Sequence, residues 1–592
     1  MLSRSLIVLL LPGLSMYAWG QQQPSRNLKP STATQWLRSL TLEQQIAQLV
    51  VIPFYGDNPS SRSRAYQQFA SLVGKTGAGG MILVNRVHRG GVVHAEPHAA
   101  AAFLNRMQRL AKIPLLVGAD FERGASMRVN GTTKFPHNMA FAAAGDLEGS
   151  TQEGAATARE ARALGVHWIF APVADVNNNP DNPIINIRAY SEHAADVAAH
   201  VKAYIRGAKA NTANPVLVTV KHFPGHGDTA VDSHVGLAKV EAGGDRLKAV
   251  ELAPFRAAIE AGVDSIMTAH LWVPALEERE LPATVSPAVL TGLLRKELGF
   301  KGLIVTDAMD MQGLSRQMTP AEAAVRAIEA GVDVLLMPPQ PLVAIAAVAK
   351  AVRSGRLSRA RLEQSVMRVL NAKVSLGLHK KRTVDLEELA DGIESDEAEA
   401  VSRRVARKAV TLVKNEGGMV PLGDPEQSCW FVLSENRYGS QGRRMMEVLD
   451  QRFPKARRLL LDPLVSAGEL ESAAASVRDC ASVVAAAFAS PAAYRGTAGL
   501  SEEYTRLLES LLASGKPVAL VSLGNPYLLR GFPNVSAYLA TFSTSPVAEE
   551  AAVRALAGDT AIEGRLPVSI PPLAKSGDGL RLPARSAPQP VQ

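Results

Sequence analysis

The sequence predicts an α/β protein, a (β/α)₈ barrel of the TIM type followed by a smaller α/β sandwich domain. Three observations carry this. Eight short apolar runs, separated by amphipathic stretches, recur over roughly 300 residues after Thr41. Asp120, Lys221, His222, His270 and Asp307 stand at the C-terminal ends of these runs, the ends that converge on one face of a barrel. A second set of apolar runs follows a charged connector. An open doubly wound sheet is the alternative, because periodicity alone does not show closure.

The elements follow in chain order. Arg4, the apolar stretch Leu6 to Leu11 and the small residues Ala18 and Gly20 before Gln21 have the form of a secretory signal over 1–20. Pro12 and the shortness of the run argue against a membrane span. An exported protein, periplasmic or extracellular and without stable membrane insertion, is expected. The barrel strands are expected at Gln48–Pro53, Gly80–Asn85, Pro114–Asp120, Val166–Pro172, Val216–His222, Asp264–His270, Gly302–Asp307 and Val332–Pro338. Helical patterns lie between them, among them Ser150–Leu164, Asp245–Ala261 and Thr319–Ala330, and Gly165, Gly262 and Gly331 read as helix C-caps. Glu260–Asp264 recurs as Glu329–Asp333, an echo between two βα units. A long helical stretch, Val343–Leu376, ends the barrel. Further strands are expected at Cys429–Leu433, Ser482–Phe488, Pro517–Leu523 and Ala537–Thr541. The divisions are therefore a barrel over 35–380, a linker over 381–400, a second domain over 401–573 and a disordered tail over 574–592.

Composition narrows the function classes. The chain has 592 residues, 47% hydrophobic and 20% charged, a globular balance that excludes a disordered or fibrous protein. Cys429 and Cys480 are too few for a disulfide scaffold or a cysteine metal site, and either a single bridge or two buried thiols would suit them. The net charge of +8 comes without basic runs interleaved with aromatics. A solvated basic surface is expected and nucleic acid is not a partner.

Four segments carry chemistry. The loop Lys221 to His234 holds three histidines beyond the strand-end lysine, and its glycines and proline exclude a regular helix. Asp232 and His234, one residue apart, suit a carboxylate that orients an imidazole for proton transfer. Asp307 ends the apolar strand Gly302–Asp307, where an unpaired carboxylate is costly. Together these suggest a nucleophile facing a proton donor, an arrangement that suits glycoside hydrolysis with retention. The segment Asp120 to Arg128 offers a carboxylate and a guanidinium to sugar hydroxyls. Ala171 to Asn177 leads through an Asn/Pro-rich loop to Arg188.

These segments together resemble glycoside hydrolase family 3. Lys221-His222-Phe223-Pro224-Gly225-His226-Gly227, with Asp232-Ser233-His234, is similar to the signature of its β-N-acetylglucosaminidase branch. Gly524-Asn525-Pro526-Tyr527 and Gly564 to Pro571 resemble the family's second domain. The resemblance implies His234 as acid/base and Asp232 as its partner, in place of the second-domain glutamate of the family's β-glucosidases. It implies Asp307 as nucleophile and a covalent glycosyl-aspartate intermediate. Asp120, Arg128, Arg188, Lys221 and His222 would bind the sugar, and His226 is grouped with them. Around Asp120 the family's Gly-Gly-Arg is replaced by Arg123-Gly124-Ala125.

The expected activity is release of terminal β-linked N-acetylglucosamine from peptidoglycan- or chitin-derived glycans, with no cofactor and no metal. The alternatives are a β-glucosidase-like exo-glycosidase, a non-catalytic cell-wall glycan-binding protein, and a metal-dependent hydrolase built on His222, His226 and Asp228.

Overall fold

The computed structural model describes residues 31–88 and 91–585. The expected signal segment lies outside these residues. Eight parallel strands form the first domain: β1 (Val50–Phe54), β2 (Gly80–Leu83), β3 (Leu116–Ala119), β4 (Trp168–Ile169), β5 (Leu217–Phe223), β6 (Ser265–Thr268), β7 (Leu303–Val305) and β8 (Leu335–Leu336). They pair in sequence order from β1 to β7, and β1 also pairs with β8 in the register Val50–Leu335. A parallel bridge between Val305 and Val334 joins β7 to the entry of β8 and completes the ring. The strands are nearly continuous apolar runs because helices cover their outer faces; β5 is buried throughout. Gly165, Gly262 and Gly331 all have positive φ, as helix-ending residues require.

Two expected helices are each divided. Asp245–Ala261 forms Gly244–Ala249 and Ala253–Glu260, and Pro254 opens the second piece, where its missing N–H costs nothing. Val343–Leu376 forms Pro341–Arg353 and Arg359–Ser375, the latter capped by the Ser358 side chain.

The second domain is a six-stranded mixed sheet of β9 (Thr411–Asn415), β10 (Ser428–Leu433), β11 (Arg457–Leu461), β12 (Ser482–Ala489), β13 (Val518–Gly524) and β14 (Ala537–Ala540). Its order is β9-β14-β13-β12-β10-β11, with β9 alone antiparallel to its neighbour. The central four strands are those expected from the sequence. The edge strands β9 and β11 are not, since half-exposed edge strands lack a solid apolar run. Cys429 and Cys480 are bonded to each other.

Two boundaries need correction. The expected linker 381–400 runs into a helix, Asp396–Ala409, that buries Val401, Val405 and Ala406 and turns its charges outward. Ser402 donates to the Lys134 carbonyl at 2.6 Å and Arg404 to Asp146 at 3.0 Å, so this segment is packed onto the barrel. The expected tail is placed as far as Arg585, because Leu580 bridges to Leu412 and Leu582 to Ile562 along the sheet edge. Residues 586–592 lie outside the described part.

The two domains share polar and apolar contacts. Met139, Ala140, Ala143 and Ile187 of the barrel belong to the core of the second domain. Asn177 donates to the Tyr527 hydroxyl at 2.9 Å, and Ser569 donates through its hydroxyl to Glu192 at 2.6 Å. Among the described residues, no helix is long and apolar enough to cross a membrane.

Candidate active site

The floor of the site is a chain of buried charges. Lys221, at the C-terminal end of β5, has a side chain only 2% exposed. Its ammonium donates to Asp120 Oδ1 at 2.8 Å and contacts Glu122 Oε1 at 2.7 Å. Asp120, which follows β3, also accepts from Arg128 Nη2 at 2.8 Å. Glu122 is held by Arg188 through two bonds, Nε at 2.9 Å and Nη2 at 2.8 Å. Burial opposes ionisation of Asp120, but Lys221 and Arg128 outweigh it and hold the carboxyl at about 2. Burial likewise opposes the charge on Glu122, which Arg188 and Lys221 overcome, leaving its pKa well below the ordinary carboxylate range. Two carboxylates and three cations thus stay charged in a space that would reject any one of them alone.

His222 extends this chain. Its Nδ1 lies 2.7 Å from Asp175 Oδ2, and its Nε2 lies 3.4 Å from Arg188 Nη2. Asp175 does more than pair with one ring: its Oδ1 accepts from the backbone N–H of His222 at 3.1 Å and of His226 at 2.7 Å. It therefore fixes the start of the loop as well as an imidazole. Burial opposes its charge, and His222 chiefly offsets that.

His226 is not placed for a sugar. Its Nδ1 lies 2.8 Å from Thr229 Oγ1 and its Nε2 2.8 Å from Ser233 Oγ, and the residue is 2% exposed. Both ring nitrogens are used inside the loop, so His226 is a brace for the turn that carries the dyad. The triad His222, His226 and Asp228 does not converge as metal ligands either. Asp175, the loop hydroxyls and Arg246 (2.9 Å from Asp228) engage the three separately.

The loop beyond His226 is shaped by glycines that admit close approach. A Cβ on Gly227 would lie 1.7 Å from the Val176 carbonyl oxygen, and one on Gly313 would lie 2.8 Å from that of Ser233. Gly313 and Gln312 donate their backbone N–H groups to the carbonyls of Ser233 and His234, at 3.0 and 3.3 Å. The loop after β7 thereby fastens down the loop after β5. Steric demand accounts for these glycines.

At the end of the fastened loop, Asp232 Oδ1 accepts from the backbone N–H of His234 at 2.9 Å and lies 2.7 Å from its Nδ1. The ring is 23% exposed and the carboxylate 1%. Nδ1 is committed to Asp232, which leaves Nε2 as the ring nitrogen that can exchange a proton. Asp307 follows β7, with its backbone N–H bonded to the Thr268 carbonyl at 3.1 Å and its Oδ1 accepting from Ala308 N at 2.8 Å. Burial opposes its charge, and the rings of His222, His270 and His234 together hold it below the ordinary value. His270, at the end of β6, is itself fixed by Thr284 at 2.8 Å and the Ala308 carbonyl at 3.0 Å.

The structure thus gathers Asp120, Arg128, Arg188, Lys221 and His222 into one network and brings Asp307 within the electrostatic reach of His222 and His234. Glu122 and Asp175 complete that network although no local pattern assigns a role to either. Both lie inside segments already notable for their carboxylates. Their function depends on partners 66 and 47 residues away.

Residues 41–372 match the glycosyl hydrolase family 3 N terminal domain, and residues 410–587 match the glycosyl hydrolase family 3 C-terminal domain. A protein of Cellulomonas fimi named β-N-acetylglucosaminidase/β-glucosidase is 32% identical over 82% of this chain and 89% of its own. β-Hexosaminidase A of Pseudoalteromonas piscicida is 29% identical over 90% of this chain and 97% of its own. Among solved structures, a family 3 β-N-acetylglucosaminidase from Paenibacillus sp. superposes with a TM-score of 0.79 at 33% identity, covering 89% of this chain and 98% of that one. The chain belongs to glycoside hydrolase family 3.

Proposed function

We propose that this glycoside hydrolase is a retaining, exo-acting β-N-acetylhexosaminidase that releases terminal β-linked N-acetylglucosamine. The observation that carries the reading is the Asp232–His234 pair at 2.7 Å, on the loop fastened beside the Asp307 strand end. Asp307 attacks the anomeric carbon as His234 Nε2 gives its proton to the departing glycosidic oxygen, and Asp232 keeps the ring oriented through Nδ1. A glycosyl-aspartate ester and a neutral imidazole result. His234 then takes a proton from water, the water oxygen attacks the anomeric carbon, and the Asp307 carboxylate is released. When Asp307 is set free, His234 carries the proton taken from water, and its positive charge favours the released carboxylate.

Asp120, Arg128, Arg188, Lys221 and His222 are the sugar-binding set. Each Asp120 oxygen spends one acceptor direction on a cation and keeps another for a sugar hydroxyl. The names of the relatives support the N-acetyl preference, and the double name of the Cellulomonas protein also favours activity on β-glucosides. Peptidoglycan- or chitin-derived glycans are the proposed source of substrate. The signal-like residues 1–20 and the Cys429–Cys480 bond support export, since such bonds persist in oxidising compartments. The test compares turnover of an aryl N-acetyl-β-glucosaminide with that of the matching aryl β-glucoside. Strong preference for the first is expected; equal turnover, or preference for the glucoside, refutes the N-acetyl assignment.

A further inference from the structure

Among the described residues the second domain supplies no carboxylate to the dyad, yet it reaches it. Between β12 and the helix Glu502–Ala513 a loop leaves the sheet and brings Tyr494 over the barrel. The Tyr494 backbone N–H donates to Asp232 Oδ2 at 2.9 Å. Its ring meets the His234 ring edge to face, with centroids 5.2 Å apart and planes at 68°. The two oxygens of Asp232 are thus divided. Oδ1 holds His234, from the barrel, and Oδ2 is held by the second domain. Because the Asp232 side chain is only 1% exposed, water is a poor substitute for that donor.

The loop is built to hold this position. Tyr494 takes φ +67°, a left-handed conformation that a non-glycine residue adopts only when its surroundings impose it. Glu435 provides the constraint. It accepts from the Ser490 N–H at 3.0 Å and the Ser490 hydroxyl at 2.6 Å, and it pairs with Arg495, the residue after Tyr494. Arg495 also donates to the Gly499 carbonyl at 3.1 Å, and Asn525 to the Ala498 carbonyl at 3.0 Å. Tyr494 as a residue is 58% exposed. What is fixed is the backbone amide and the ring face that meets His234.

We propose that Tyr494 is a positioning residue for acid/base catalysis, acting through Asp232 and His234, and that the second domain takes part in proton transfer by this route. The proposal rests on His234 being the acid/base. Its consequence is that disturbing Tyr494 weakens proton donation to the leaving group while leaving attack by Asp307 intact. Substrates that need the proton then suffer more than those that do not.

The test reads kcat/KM, which reports the first bond cleavage, on two glycosides sharing whichever glycone the wild type turns over. One is a 4-nitrophenyl glycoside, whose leaving group needs little protonation. The other is a methyl glycoside, whose leaving group needs a full proton and is too small to stack on the ring. Tyr494→Gly removes the ring and keeps the amide, and glycine accepts the left-handed backbone. Replacing residues 491–497 by two glycines removes both. With the nitrophenyl substrate about a 3-fold loss or less is expected for either variant, and with the methyl glycoside about 10-fold for the first and about 100-fold for the second. Equal losses on both substrates, or no loss with the shortened loop, would overturn the proposal. If the shortened loop prevents folding, the Glu435→Ala, Arg495→Ala double variant frees the loop at full length and must show the same inequality. His234→Ala is the control. If it shows no dependence on the leaving group, the acid/base reading fails, and a wild type that prefers glucosides overturns only the N-acetyl assignment.

Discussion

Lys221 lies between two carboxylates that are buried for most of their surface, and its removal leaves both without their shared cation. Breaking such a cluster costs more than the pair contributes, because the remaining charges stay desolvated. Lys221→Met is therefore expected to lower stability by about 3–5 kcal/mol in chemical denaturation and to raise KM sharply. Unchanged stability would mean that Asp120 and Glu122 are satisfied by Arg128 and Arg188 alone. Residues of this kind were legible where a polar side chain ends an apolar strand, as with Lys221, His222 and Asp307. Asp175 was not, because its two backbone partners lie in a loop that starts 47 residues later, and no local pattern reports that approach. His226 misled for a related reason. Sequence shows a histidine among histidines, whereas only the folded loop shows Thr229 and Ser233 closing both of its nitrogens.

Among the elements, the loops after β5 and β7 form one unit, joined where Gly313 sits under Ser233. A methyl group at 313 would lie 2.8 Å from the Ser233 carbonyl oxygen and 2.9 Å from that of His270. Gly313→Ala is expected to shift the dyad and reduce kcat by about 100-fold, since misplacement of about 1 Å has that scale of effect. Its thermal midpoint should fall by only a few degrees. A kcat within 2-fold of wild type would show that the loop after β5 holds its position without this contact. The strands of the barrel and the centre of the second sheet were legible because buried parallel strands are unbroken apolar runs. The helix Asp396–Ala409 was not, because its charges outnumber its apolar residues. Only the three- and four-residue spacing of Ala398, Val401, Val405 and Ala409 marks a buried stripe.

For the whole molecule, the close pairing of the helices Leu147–Ala163 and Ala194–Ala208 encloses Glu153. Among the described residues its two oxygens find no hydrogen-bond partner, and burial raises its pKa well above the ordinary value of 4.5. A carboxyl that holds its proton more tightly folded than unfolded favours the fold at low pH, and this contribution is lost as pH rises. Glu153→Gln is expected to gain about 1.4 kcal/mol over wild type for each pH unit above 4.5, up to the raised value, and nothing further below 4.5. Denaturation at pH 4, 6 and 8 checks this; a difference independent of pH refutes it. The two domains, joined by the Met139 and Ile187 core contacts and the Asn177–Tyr527 bond, are expected to unfold in one calorimetric transition. Two separated transitions would show that the interface is too weak to couple them.

The central claim is that Asp307 becomes covalently glycosylated while His234 manages the proton. It is tested most directly with a 5-fluoro N-acetyl-β-glucosaminyl fluoride, which forms the ester quickly and releases it slowly. Mass mapping of the labelled protein is predicted to find one sugar on the peptide carrying Asp307, and none in Asp307→Ala. A label on another carboxylate, or full turnover by Asp307→Ala, would contradict the account.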